Sequence, residues 1–186
     1  MVWSGVFRFV IARFITARRA FAREPLAMKL DLAAIGRLKA GPERDLVSRY
    51  LDRIEKTGRA VGLSGFNVHE FPESRGPTVD ERKQDEAKNL LSRLSDQHQW
   101  FVFDERGKSI DSPGFARLVE RGLETAKPMA FLIGGPDGLA SSLRDDAQAV
   151  LSFGGMTMPH QLVRVLVLEQ IYRATTILSG HPYHRT

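Results

Sequence analysis

Short hydrophobic runs alternate with longer amphipathic stretches from Met28 to the end of the chain. This alternation is typical of a sheet whose strands are joined by crossover helices. The hydrophobic runs predict five strands, at residues 29–35, 61–71, 100–103, 130–133 and 151–153. The pattern therefore predicts an α/β fold.

The amphipathic stretches between these runs predict four helices. The first opens at Gly41-Pro42 and closes at Gly58. The third begins at Asp111, which precedes a proline in the first turn and is a residue type that caps helix N-termini. The second, over about residues 78–94, is strongly charged and is predicted to be a solvated outer helix. The fourth is predicted over residues 140–150.

A fifth helix is predicted over residues 160–178, and it is apolar on nearly every side. A helix on the surface of a single subunit is usually apolar on one face only. We therefore expect this helix to be buried on most sides, either within the molecule or against a second subunit. No internal repeat or low-complexity linker interrupts residues 28–186, which predicts a single domain.

Length and composition narrow the class of protein. The chain has 186 residues, enough for one compact domain. It contains no cysteine, which excludes disulfide scaffolds, thiolate zinc sites, iron–sulfur clusters and cysteine nucleophiles. Cysteine-free composition fits a reducing compartment, and we expect a cytoplasmic protein.

The first 27 residues hold most of the net charge of +5, with five arginines against Glu24. Residues 28–186 are nearly neutral, so bulk charge does not indicate a nucleic-acid partner. The basic, amphipathic leader resembles an organellar transit peptide. Because Met28 opens a predicted strand directly, we favour an upstream in-frame extension and expect the leader to lie outside the fold.

Three glycine-bearing turns follow three of the predicted strands, at residues 104–107, 134–138 and 154–155. Open α/β sheets bind ligands outside the carboxyl ends of their strands. The turns therefore predict one pocket built from three loops. The sequence has neither a Rossmann dinucleotide motif nor a P-loop, and Pro136 lacks an amide that a phosphate cradle would use. A glycine-rich run of this kind is more often only a sharp turn.

The C-terminal residues 180–186 hold an imidazole pair, a phenol and a guanidinium. Such groups can transfer protons, stack on bases and contact phosphates. Two other interpretations remain open. His181 and His184 have the spacing of a metal-binding pair but lack a carboxylate or cysteine nearby in sequence. Alternatively, the tail is simply held in place by Tyr183.

Four motifs in order resemble the RlmH family, bacterial large-subunit ribosomal RNA pseudouridine N3-methyltransferases of the SPOUT superfamily. The motifs are FLIGGPDGL at 131–139, MTMPHQLVR at 156–164, EQIYRA at 169–174 and HPYHR at 181–185. The resemblance covers residues 28–186. It implies a Rossmann-like parallel sheet with a C-terminal trefoil knot, a homodimer joined through the knot, and a ribosomal substrate. It implies no metal and no membrane.

The resemblance also implies that S-adenosyl-L-methionine binds in the knot, mostly through backbone groups. Carried over by motif, the expected cofactor contacts are Phe103, Gly134, Phe153, Gly154, Gly155, Met156, Thr157 and Met158. Some family members have an aliphatic residue at Phe103 and Ser-Ala-like residues at Gly154-Gly155. Backbone contacts tolerate such changes.

Methyl transfer to pseudouridine N3 requires removal of an imide proton. We expect Arg173 and Arg185 to orient the base and stabilise its anion, His184 to act as the base, and Tyr183 to stack or donate a hydrogen bond. Alternatively, Arg173 has a structural role, because it could form an ion pair with Glu169 one helical turn away. Two alternative functions are a non-catalytic ribosome-binding or assembly module and a SPOUT enzyme that acts on transfer RNA.

Overall fold

The computed structural model describes residues 27–184, in which strands and helices alternate. The strands are β1 Met28–Ile35, β2 Leu63–Phe71, β3 Gln99–Ser109, β4 Met129–Ile133 and β5 Ala149–Ser152. The helices are α1 Pro42–Gly58, α2 Val79–Leu91, α3 Ser112–Thr125, α4 Ser141–Asp145 and α5 His160–Leu178. All strands pair in parallel, in the order β2-β1-β4-β3-β5. The predicted α/β class with a parallel sheet is confirmed.

The two central strands are apolar because helices cover both faces of the sheet. All five residues of β4 are buried, and β1 has only one exposed residue, Lys29. Helices α1, α3 and α5 pack together on one face, where the rings of Phe115 and Phe131 stack at 5.2 Å. Helices α2 and α4 cover the other face, with Leu90 and Leu143 in its core.

The helix boundaries follow local capping chemistry. The Asp111 side chain accepts a hydrogen bond from the amide of Gly114 at 2.7 Å, which confirms the predicted cap of α3. Thr78 caps α2 in the same way, accepting from the amide of Glu81 at 3.2 Å. Helix α1 begins at Pro42 and ends at Gly58, as predicted.

Two sequence predictions about the elements are wrong. Residues 104–107 do not form a turn that ends the third strand; they bulge within β3, so that Phe103 and Lys108 both align with Leu151 of β5. Gly107 is required there because a Cβ would lie 2.5 Å from the backbone carbon of Leu151. The fourth predicted helix is too long, since it ends at Asp145 and Ala149 already belongs to β5.

Helix α5 lies on the sheet and is anchored by a buried arginine. Arg164 is completely buried, pairs with Glu70, and donates to the backbone oxygens of Ile35 at 3.2 Å and Gly36 at 2.7 Å. These oxygens lie at the carboxyl end of β1, where the strand ladder ends. The guanidinium therefore satisfies acceptors that the sheet leaves open.

The chain runs from β5, at one edge of the sheet, to the start of α5 beside β1. A Cβ on Gly36 would lie 2.8 Å from Nε2 of His160, so the helix begins directly above the end of that central strand. This crossing is consistent with the C-terminal knot, which stays a prediction. Within residues 27–184, no helix is both long and apolar enough to cross a membrane. The leader lies outside the described residues.

Candidate active site

A pocket of about 750 Å³ opens at the carboxyl edge of the sheet. Three segments form much of its wall, namely residues 103–106 of β3, 133–139 after β4, and 151–160 from the end of β5 to the start of α5. The structure thus brings together the three segments that the sequence singled out. Of the expected cofactor residues, Gly155 is not on the wall, and those that line it are Phe103, Gly134, Phe153, Gly154, Met156, Thr157 and Met158.

Stacked aromatic rings form an apolar part of the wall. The rings of Phe103 and Phe153 are nearly parallel, with an interplanar angle of 9° and centroids 5.0 Å apart. Phe103 also packs against Phe131 at 6.0 Å in the core. The pocket wall is therefore continuous with the hydrophobic core and rigid at this point. An aliphatic side chain in place of Phe103 could also fill this position.

Residues 134–138, called the glycine loop below, fold back on themselves beside β4. The amide of Gly138 donates to the backbone oxygen of Gly135 at 3.0 Å, and Gly138 adopts a φ of 82° that favours glycine. A Cβ on Gly134 would approach the side chain of Leu139 to 3.0 Å. Small residues therefore let the loop close tightly and present its backbone to the pocket.

Two ion pairs hold the walls of the pocket. Arg82 on α2 donates to Asp137 of the glycine loop at 2.7 Å, and this hydrogen bond lowers the pKa of the carboxyl. Arg144 on α4 lies 3.3 Å from Asp104 and also donates to the backbone oxygen of Leu139 at 3.0 Å. Both guanidiniums come from the α2 and α4 face, so this face supports the pocket from behind.

The segment after β5 is shaped by short polar contacts. The hydroxyl of Ser152 accepts from the amide of Gly154 at 3.0 Å and donates to its oxygen at 2.8 Å. Thr157 donates to the carboxylate of Glu105 at 2.9 Å, which ties this segment to the β3 bulge. Met156 lines the pocket, yet the residue is 77% exposed, so it lies at the rim.

His160, the first residue of α5, also lines the pocket and was not singled out for a role there from the sequence. Burial lowers its pKa, an effect that the Glu73 carboxylate opposes and Arg164 reinforces. The imidazole is therefore neutral near neutral pH. The sequence feature that could have identified this residue is a histidine directly after a proline at the start of a helix.

The C-terminal tail packs against the far end of α5. The hydroxyl of Tyr183 donates to Oε1 of Glu169 at 3.1 Å, and its ring lies 4.7 Å from that of Tyr172 and 4.9 Å from the guanidinium of Arg173. The Nε of Arg173 donates to the same Glu169 oxygen at 3.0 Å, which confirms the predicted ion pair. Glu169 is the centre of this cluster, a role that sequence reasoning did not assign.

The tail and the pocket lie apart within one chain. His160 borders the pocket and Arg173 belongs to the tail cluster, and the helical rise between them amounts to about 20 Å. Among the residues described, Nδ1 of His184 is buried without a hydrogen-bond partner, whereas Arg185 lies outside them. The same part of the chain holds no cluster of three or more potential metal ligands from histidine, cysteine or carboxylate side chains.

Comparison with known proteins gives a consistent result. A family model described as "Predicted SPOUT methyltransferase" matches residues 28–184. Proteins named ribosomal RNA large subunit methyltransferase H from Rhizobium etli, Agrobacterium fabrum and Rhodopseudomonas palustris are 53%, 50% and 48% identical to this chain over 159 residues. The aligned region covers 85% of this chain and 99% of each relative.

Proposed function

The chain belongs to the SPOUT methyltransferase family, and we propose that it methylates large-subunit ribosomal RNA, at N3 of a pseudouridine, with S-adenosyl-L-methionine as the methyl donor. The observation that carries this proposal is the convergence of three backbone-rich segments on one pocket at the carboxyl edge of the sheet. Relatives of about 50% identity, named for large-subunit ribosomal RNA, support the substrate class. Residues 28–186 form the proposed methyltransferase domain.

The pocket fits the methyl donor in size and chemistry. Small-molecule sites of roughly 300–1,000 Å³ are typical, with apolar walls and a few polar groups. Here the stacked Phe103–Phe153 pair supplies an apolar wall, and the glycine loop and residues 153–158 supply backbone groups. S-adenosyl-L-methionine, when bound, supplies an electrophilic methyl group on a sulfonium.

The tail residues supply the remaining chemistry. Burial and the charge of Glu169 raise the pKa of Tyr183 to about 12, so its hydroxyl stays protonated and acts as a donor rather than a base. Arg173 and Arg185 orient the base and favour the imide anion, and His184 accepts the N3 proton. Because Glu169 holds both Arg173 and Tyr183, it fixes the geometry of these two groups.

The pocket and the tail residues form one composite site across two subunits. Because about 20 Å of helix separates the tail cluster from the pocket of its own chain, the tail of one subunit would complete the pocket of a second. Leu162, 44% exposed, and Leu166, one turn later, belong to neither hydrophobic core and supply an apolar face for the homodimer.

The decisive experiment maps the methylated nucleotide. The protein is incubated with labelled S-adenosyl-L-methionine and with assembled ribosomes, separated subunits, free ribosomal RNA or transfer RNA. We expect label at a single pseudouridine of the large-subunit RNA in assembled ribosomes. Label in transfer RNA would instead identify a transfer RNA enzyme, and absence of donor binding would identify a non-catalytic ribosome-binding module. A ribosomal substrate implies a cytoplasmic reaction.

A further inference from the structure

Glu86 is a buried carboxyl behind the pocket that the mechanism above does not use. It lies on α2, is 4% exposed, and faces the sheet. A Cβ on Gly135 would come within 3.0 Å of Oε2 and 3.2 Å of Oε1 of this carboxyl. Gly135 lines the pocket on its other side. The glycine loop is therefore a thin wall between Glu86 and the ligand space.

The hydrogen bonds of Glu86 connect two separate segments. Its Oε1 accepts from the backbone amide of Ser74, at 3.0 Å, in the connection between β2 and α2. Its Oε2 is buried beside Gly135 and has no donor among residues 27–184. One turn earlier, Arg82 also spans both segments, donating to the oxygen of Gly76 at 3.2 Å and to Asp137 at 2.7 Å. Helix α2 thus holds the glycine loop against residues 72–77.

The charges around Glu86 favour its neutral form. Burial raises the pKa of this carboxyl above its ordinary value, and the carboxylates of Asp137 and Glu73 raise it further. The hydrogen bond from the Ser74 amide and the charge of Arg82 oppose this rise without cancelling it. Arg82 is already engaged by Asp137. From β1 the neighbouring group is the apolar side chain of Ile35, which also faces Gly135. Because Oε2 is buried without a donor, a neutral carboxyl at this position loses less solvation free energy than a carboxylate would.

We propose that Glu86 is a positioning residue for the pocket, joining the 72–77 connection to the glycine loop so that the loop keeps its ligand-binding shape before the ligand arrives. The inference rests on the proposed function, because it takes S-adenosyl-L-methionine as the ligand. Preorganising a binding loop raises affinity by reducing the ordering that binding must impose. Ionisation of Glu86 would place a further negative charge beside Asp137 and loosen the loop.

Three variants test this role. Glu86→Ala removes the carboxyl, Glu86→Gln keeps its shape and a hydrogen-bond donor without a titratable proton, and Glu120→Gln removes an exposed carboxylate on α3 across the sheet. In ligand-free protein, Glu86→Ala should increase amide hydrogen exchange at residues 135–138 by about fivefold or more. Glu86→Gln and Glu120→Gln should stay within about twofold of the unsubstituted protein.

A second measurement follows the affinity for S-adenosylhomocysteine by calorimetry over a series of pH values, from about pH 5 upward. The affinity of the unsubstituted protein and of Glu120→Gln should fall several-fold as Glu86 ionises, whereas that of Glu86→Gln should not show this fall. A merely structural carboxyl would not produce this difference in pH profile.

Unchanged exchange in the glycine loop of Glu86→Ala would overturn the proposal, and so would the same pH profile in Glu86→Gln and the unsubstituted protein. If the unsubstituted protein does not bind S-adenosylhomocysteine at all, the proposed function fails. Loop exchange in ligand-free protein then decides the positioning role by itself. Should Glu86→Ala not fold, the comparison of Glu86→Gln with the unsubstituted protein still decides it.

Discussion

Gly134 occupies the point where β4 turns into the glycine loop, and its lack of a side chain has a local reason. A Cβ there would lie 3.0 Å from the side chain of Leu139 and 3.2 Å from the backbone carbon of Gly138. A larger residue would therefore push the loop open from inside. We expect Gly134→Val to weaken binding of S-adenosylhomocysteine by about tenfold or more, measured by calorimetry.

Gly65 provides a matched control for that substitution. It lies on β2, and a Cβ placed on it would meet no atom within 4 Å. Gly65→Val should bind the ligand like the unsubstituted protein. If Gly134→Val also binds normally, the donor site lies elsewhere.

Tyr183 tests whether the tail acts in catalysis. Tyr183→Phe keeps the ring against Tyr172 but removes the hydrogen bond to Glu169, and His184→Ala removes the proposed base. We expect both variants to keep the melting temperature and the cofactor affinity. Methyl transfer to ribosomes should fall by about tenfold, or roughly 1.4 kcal/mol of transition-state stabilisation. A lower melting temperature with unchanged specific activity would assign the tail a structural role instead.

At this scale the sequence indicated residues whose motif or residue type is distinctive. Gly134 and Tyr183 stand in motifs, and a glycine or a phenol restricts what a position can do. Glu86 and Glu169 do not stand out, because carboxylates are common on helices and their importance depends on burial and on neighbours from distant segments. Only the fold brings Gly135 to Glu86.

Among the elements, α5 depends on Arg164 for its attachment to the sheet. Removing the guanidinium would leave Glu70 without its partner and the carboxyl end of β1 without its donor. Arg164 is completely buried while the Glu70 side chain is 31% exposed, so the cost combines the unpaired carboxylate with the two backbone acceptors that lose their donor. We expect Arg164→Ala to lower the free energy of unfolding by about 3 kcal/mol, measured by urea denaturation.

A second substitution separates the two parts of this effect. Combining Glu70→Gln with Arg164→Ala removes the unpaired carboxylate charge, but the backbone oxygens of Ile35 and Gly36 still lack their donor. The double variant should therefore recover part of the lost stability. Strict additivity of the two single substitutions would show that the ion pair contributes nothing.

Strands β1 and β2 are also joined to the start of β3 by the carboxylate of Asp31. Its oxygens lie 2.9 Å from Nε2 of His69, 3.1 Å from Nε2 of His98 and 3.0 Å from Nδ2 of Asn67. Burial by itself raises the pKa of Asp31, but hydrogen bonds from His69, Asn67 and His98 outweigh it and hold the pKa below its ordinary value of 3.8. Folding therefore favours the ionised carboxylate.

The stability from Asp31 should be complete above the unfolded-state pKa and lost as the pH falls through the lower folded-state value. At neutral pH, Asp31→Asn should lower the free energy of unfolding by about 2 kcal/mol. Below about pH 4 the difference between the two proteins should narrow. A difference independent of pH would show that the charge of Asp31 does not matter, and denaturant titration across the pH range measures it.

The elements with clear caps and periodicity were predictable. Helix α5 spans His160–Leu178 as predicted, and Asp111 caps α3. The β3 bulge was not predictable, because Asp104 and Gly107 are also typical of turns and only pairing with β5 continues the strand. Helix α2 was predicted as a solvated outer helix with a sparse apolar stripe, and Ala87 and Leu90 of that stripe are buried; the burial of Glu86 on the same helix was not predicted.

For the whole molecule, the composite site predicts how subunits complement one another. One subunit carries His184→Ala and the other Gly134→Val, so each alone is defective. If the tail of one subunit completes the pocket of the other, both lesions fall on one site and the second site stays whole. Mixed dimers should then regain about half of the unsubstituted activity in a methyl-transfer assay.

Self-sufficient subunits would give the opposite result, since both sites would be damaged and activity would stay low. Leu162→Asp provides an independent check, because a charge on the exposed apolar face of α5 should shift the protein to monomers in light scattering. Monomers that methylate ribosomes normally would contradict the composite site.

The order of strands also determines when this molecule can fold during its synthesis. Strand β4 lies between β1 and β3, so neither has both of its partners until the residues of β4 have been made. Arg164, which donates to the end of β1, is synthesised later still, because it belongs to α5, the last element of the chain. Such non-local pairing slows folding, and the apolar β1 stays exposed while the rest of the chain is translated. Nascent chains that end before Met129 should therefore be the ones that chaperones bind.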